Sequence, residues 1–99
     1  MASKSFTATA TGAVAGPLDA GAGNTFGRFY IKVMSTASDA SVALETSPDN
    51  TTYTQMALAS GGKPWAYARS DHRQRYARVN VVSLGTGTPP VAAVITCNP

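Results

Sequence analysis

The sequence predicts an all-β fold: a single-domain antiparallel β-sandwich, jelly-roll-like, with about seven or eight short strands. Three observations carry this. Short runs alternate apolar and polar side chains with a period of two, the pattern of half-buried strands. Stretches rich in Gly, Pro, Asn and Asp divide those runs at intervals of about 8–12 residues, the spacing of sandwich strands. No segment sustains a helical period with enough apolar positions to bury a face. The 99 residues are read as one domain spanning 1–99, a length that buries about two thirds of its unfolded surface in one core.

Residues 3–10 (SKSFTATA) put Phe6, Ala8 and Ala10 on one side and Ser5, Thr7 and Thr9 on the other, an opening strand suited to a sheet edge. Residues 11–27 carry five glycines (Gly12, Gly16, Gly21, Gly23, Gly27) around Pro17, which predicts a loop, arm or broken strand. With so few bulky side chains, that segment is expected to lie flat on its own sheet or on a neighbour. Residues 28–35 (RFYIKVMS) are the clearest strand, with Phe29, Ile31 and Val33 opposite Tyr30, Lys32 and Met34. A turn over STASDAS leads into the next strand, where Val42, Leu44 and Thr46 oppose Ala43 and Glu45. Ser47-Pro48-Asp49-Asn50 suits a type I turn, because Pro fixes φ and Asp and Asn bond back to nearby backbone. Alternation resumes over 51–56, and 57–64 is read as a loop through Gly61-Gly62-Lys63-Pro64. Residues 65–68 alternate again. Residues 75–82 form a strand with Ala77, Val79 and Val81 opposite Tyr76, Arg78 and Asn80; a helix capped by Ser70 is the competing reading there. A Gly/Thr/Pro turn over 85–90 precedes the closing strand, 91–97.

Charged residues make up 13% of the chain, half the usual share of about 25%. A surface of Ala, Gly, Ser and Thr packs against neighbours with little charge to desolvate, which favours a member of an assembly. The net charge is +3, and five of the eight basic residues fall between positions 63 and 78. Lys63, Arg69, Arg73 and Arg75 are therefore candidate contacts to an acidic partner. Nucleic-acid binders carry a larger excess, so no specific nucleic-acid partner is expected. Cys97 is the only cysteine; it cannot form an intrachain disulfide, and its alternation with Ile95 and Val91 predicts a buried thiol. The start, MASKSFTATATG, has no apolar core of a secretory signal, and no run approaches the ~20 apolar residues of a membrane span. The expectation is a protein made in a reducing cytoplasm, with no membrane partner.

Reactive constellations are scarce. Ser70-Asp71-His72 holds the residue types of a hydrolase triad, but three adjacent residues cannot converge productively. His72 is the only histidine, and the acids Asp19, Asp39, Glu45, Asp49 and Asp71 show no ligand spacing. No catalytic residue, cofactor or metal is expected; a calcium ion held by loop carbonyls is the alternative. Gly21-Ala22-Gly23-Asn24 lacks the third glycine and the helix of a phosphate loop. Asn50-Thr51-Thr52 fits a glycosylation sequon without a secretory route. Trp65 and Tyr67 share a strand face. They are expected to fill the sandwich core; exposure would instead make them an aromatic platform for sugar or base stacking.

SVALETSPDNTTYTQMAL, RYARVNVVSL and GTGTPPVAAVIT together resemble a pattern recurring in small virion proteins of tailed bacteriophages, and are similar to the late half of discoidin-type sandwiches. Glu45-Thr46-Ser47, Asp49-Asn50 and Arg75-Tyr76-Ala77-Arg78-Val79 occupy the matching places, and the likeness covers about residues 41–96. The resemblance implies a jelly-roll sandwich located in the virion. With the charge-poor composition, it implies a head decoration or cement protein whose partners are the major capsid protein or other virion subunits. A homo-oligomer, a trimer by preference, is the expected state. Glycan binding in a tail or baseplate module is the alternative it implies.

Overall fold

A computed structural model describes residues 2–21, 28–35, 37–69 and 74–97. Nine strands follow in order: β1 (Ala2–Ala8), β2 (Gly12–Ala13), β3 (Leu18–Asp19), β4 (Arg28–Ser35), β5 (Ser41–Ser47), β6 (Thr54–Ser60), β7 (Trp65–Arg69), β8 (Tyr76–Ser83) and β9 (Val91–Cys97). They form two antiparallel sheets, one ordered β1-β9-β4-β7 and the other β2-β8-β5-β6, with β3 also on β8. β2 and β3 are two pieces of one interrupted strand: Gly12 pairs with Val81 and Leu18 with Ala77 along the same β8. The first part of the Gly/Ala segment thus pairs with its own sheet through Gly12–Ala13 and Leu18–Asp19, and its break takes the number of strands among the described residues to nine. Among the described strands only β5 and β6 form a hairpin within a sheet; apart from the β2–β3 break, consecutive strands otherwise alternate between the two sheets. This is jelly-roll connectivity.

Period-two alternation decides the core. Phe29, Ile31 and Val33 from β4, Val42 and Leu44 from β5, Val79 and Val81 from β8, and Val91 and Ile95 from β9 meet between the sheets. Each large side chain so buried contributes roughly 1.5–3 kcal/mol. Phe6 and Leu18 extend the core to the edge strands, and Cys97 closes it at one end. Burial pushes the Cys97 thiol above its ordinary range, the condition of an inert structural cysteine.

Two expectations change, and one alternative falls away. The strand after the Ser47–Asn50 turn starts at Thr54 and continues to Ser60, so residues 51–53 belong to the turn and 57–60 to the sheet. Asp49 is the cause: its carboxylate accepts the Thr51 and Thr52 N–H groups at 2.9 and 3.1 Å, and Asn50 sits at φ 61°. The Ser47 carbonyl accepts the Arg75 N–H at 3.1 Å, and side-chain bonds among Ser47, Asp49 and the following amides hold the loop. The helix considered after Ser70 does not run through 76–79, which are β8, paired to β5; residues 70–73 lie outside the described residues. Trp65 and Tyr67 do not fill the core. They pair across the ladder with Lys32 and Tyr30, and because Phe29, Ile31 and Val33 take the inward positions of β4, those four residues face outward. Ala66 packs inward against the core instead.

Candidate functional site

The two outer faces differ in kind. On the β2-β8-β5-β6 sheet, polar groups satisfy one another. Glu45 and Arg78 are ladder partners; the Glu45 carboxylate accepts Arg78 Nε at 2.8 Å and Asn80 Nδ2 at 3.0 Å. The Arg78 guanidinium also lies 3.8 Å from the Tyr53 ring centroid. Arg75 donates to both Asp19 oxygens, at 2.8 and 2.9 Å. That bidentate contact holds the Asp19 carboxyl below its ordinary range and raises the Arg75 guanidinium. Glu45, Arg75 and Arg78 therefore act as fasteners within the sandwich.

On the β1-β9-β4-β7 sheet the outer face is open. Trp65 is 63% exposed, Met34 57% and Tyr67 48%. Tyr30 stacks on Tyr67, ring centroids 5.0 Å apart and tilted 39°. Lys32 holds its ammonium 4.6 Å from the Trp65 centroid, a cation–π contact that orients the indole. Tyr30, Lys32, Met34, Trp65, Val94 and Thr96 surround a depression of about 230 Å³. A second hollow, about 470 Å³, lies beyond Trp65 between Leu58, Lys63, Pro64 and Tyr67. Trp65 thus stands as a ridge between two shallow basins.

The charge distribution follows the same division. None of the four strands of this sheet contains an acidic residue, while they carry Lys4, Arg28, Lys32 and Arg69. The described acids lie on the other sheet or in the loops: Asp19 on β3, Glu45 on β5, Asp39 and Asp49 in turns.

The four basic candidates do not form one patch. Lys63 sits in the β6–β7 loop, beside Trp65 and Tyr67. Arg69 ends β7 at the far end, as ladder partner of Arg28. Arg75 is engaged with Asp19, and Arg73 lies outside the described residues, as do Asp71 and His72. Tyr30, Lys32, Met34, Val94 and Thr96 were not singled out from the sequence. The signal was there: the outward half of RFYIKVMS is Tyr, Lys and Met, where an ordinary solvent face carries Ser, Thr or Glu. Among the described residues no group of three or more His, Cys, Asp or Glu side chains could hold a metal ion. Such a face offers stacking, apolar contact and positive charge, which is binding chemistry. Comparison with family models, curated proteins and solved structures finds no match for this chain.

Proposed function

We propose that this protein is a non-enzymatic structural subunit of a bacteriophage virion, a decoration or cement protein that binds the assembled capsid and stabilises it. The observation that supports the reading is the outer face of the β1-β9-β4-β7 sheet, which presents Trp65, Tyr67 and Met34 to solvent around half-buried Tyr30, whereas the opposite sheet exposes Leu58 and Val82 singly beside its own ion pairs. Tryptophan, tyrosine and methionine are the residue types enriched in protein interfaces. The resemblance of residues 41–96 to small virion proteins adds the setting, and jelly-roll topology recurs in capsid subunits, a fold-level analogy. The partner is the major capsid protein or a neighbouring virion subunit, and the protein acts as a homo-oligomer, a trimer by preference.

The mechanism is linkage. A protein that binds only the assembled lattice stabilises that lattice by its binding free energy. Several copies engaged together raise the effective affinity without any strong single contact. Release of packaged DNA on heating, with and without added protein, tests this. Addition should raise the release temperature; an unchanged temperature would remove the stabilising role.

A tail or baseplate carbohydrate-binding or adaptor module is the second reading, favoured by the exposure of Trp65 and Tyr67. Three features weigh against it. Lys32 covers one face of the Trp65 indole, the two tyrosines are tilted against each other, and among the described residues the strands of this sheet contain no carboxylate to grip sugar hydroxyls. Micromolar binding of soluble glycans, lost in Trp65→Ala, would favour this module over the cement protein.

A further inference from the structure

A docking face needs a partner of defined chemistry, and the charge distribution defines it. The four strands behind the aromatic face contain no acidic residue; Arg28 and Lys32 lie in the outward register of β4, while Lys4 shares the inward register of β1 with Phe6 and reaches toward Gly16. On the opposite sheet, Arg75 and Arg78 are neutralised within the molecule by Asp19 and Glu45. Lys32 and Lys63 flank Trp65 from two sides, one over its ring and one in the basin beyond it. We propose that the outer face of the β1-β9-β4-β7 sheet docks onto an acidic protein surface, with Trp65 as the central anchor and Lys32, Lys63 and Arg28 meeting carboxylates around it.

This rests on the structural-subunit reading for the partner's origin and on the face itself for its chemistry. An exposed tryptophan between two basins suits a hot spot, since a partner can close on both sides of the indole and expel water from it. Surrounding cations steer an acidic surface into register and raise the association rate. A second copy of this chain is a poor occupant: a two-fold contact of this face with itself sets its cations against each other. The trimer contacts proposed above therefore use other surfaces. Single-stranded nucleic acid needs open ring faces for its bases. Here Lys32 covers one side of Trp65, and Tyr30 and Tyr67 face each other.

The test measures binding of the full chain to purified assembled capsid shells, with Trp65→Ala, Lys32→Glu and, on the opposite sheet, Val82→Ser as the control. Wild type and the three variants are checked for unchanged circular dichroism, since each altered side chain is outside the core. Trp65→Ala should weaken binding about thirtyfold, mainly through faster dissociation, the loss expected of a hot-spot residue. Lys32→Glu should slow association by about tenfold and flatten the salt dependence. Val82→Ser should bind as wild type does. If the two sheet variants bind like wild type, or only Val82→Ser loses affinity, the docking face is wrong while the structural-subunit reading stands. If wild type itself ignores the shells, that reading falls and this proposal with it. Micromolar binding of a fluorescent oligothymidine, abolished by Trp65→Ala, would overturn the proposal in favour of single-stranded nucleic acid.

Discussion

Thr46 shows how strictly position decides exposure in this sandwich. It follows Leu44 in the inward register of β5 and is 1% exposed, yet its Oγ1 has no hydrogen-bonding partner among the described residues. A buried hydroxyl left unpaired costs about 1–3 kcal/mol, whereas an isosteric methyl costs nothing in desolvation. Thr46→Val should therefore raise the unfolding free energy by about 1 kcal/mol in urea titrations; a lower midpoint would mean the hydroxyl has a partner. Three aspartates make the opposite case. Asp19 is held below the ordinary carboxylate range by Arg75, Asp39 by the Thr86 hydroxyl and amide, and Asp49 by the Thr52 and Thr51 amides and Ser47. A depressed folded value means the unfolded chain binds more protons in acid, so these contacts stabilise fully above about pH 4. Their contribution drains away as pH falls through the folded values. The melting temperature should hold from neutral pH to about pH 5 and decline below about pH 4, with a shallower decline in Asp39→Asn. A melting temperature that rises on acidification would reverse the sign of this linkage. Core residues such as Ile31 and Val79 were legible because a period of two sorts them locally. Thr46 was legible as inward, but its unpaired oxygen was not, because that depends on neighbours from other strands.

Elements were legible where the alternation is long and sharply bounded. β4 and β9 span the residues the pattern assigns, and β8 is shifted by one residue. β6 was misplaced because its boundary is set by a carboxylate gathering amides, and turn chemistry of that kind has no period. The β2–β3 break shows the same limit, since Gly12 and Leu18 become strand residues only through pairing with β8. Connections at the Lys63 end are fixed by close backbone approach. Asp39 accepts the Thr86 N–H at 2.9 Å and the Thr86 hydroxyl. Beneath this contact Gly85 sits at φ 80°, where a Cβ would meet the Asp39 carboxylate, the Ala37 methyl and the Ala40 nitrogen. Gly85→Val should cost about 2–4 kcal/mol, through both the left-handed backbone and the clash. Thermal melting checks this, and a shift of a degree or less would show that the 37–40 turn yields freely.

At the scale of the molecule, sequence and structure part over the aromatic side chains. Hydrophobicity alone sends Trp65 and Tyr67 inward, and nothing within WAYAR contradicts it. Their side is decided by ladder pairing with β4, thirty-odd residues away in the chain, whose own inward positions are already taken by Phe29, Ile31 and Val33. The basic stretch was misleading for the same reason: neighbours in sequence were treated as neighbours in space, and the fold separates Lys63 from Arg75. What emerges is a jelly roll whose two sheets differ, one fastened by Glu45–Arg78 and Asp19–Arg75, the other exposing Trp65 and Tyr67 with no acidic residue in its four strands. On the proposed decoration role the site spans adjacent subunits and exists only after assembly, so binding should depend on the lattice and not on the subunit alone. Quantitative binding of the full chain to assembled shells and to unassembled subunits of the same capsid protein tests this most directly. The account predicts saturation at a fixed ratio per lattice unit on shells and affinity at least about tenfold weaker for free subunits. Equal affinity for both, or binding to shells that never saturates, would contradict it.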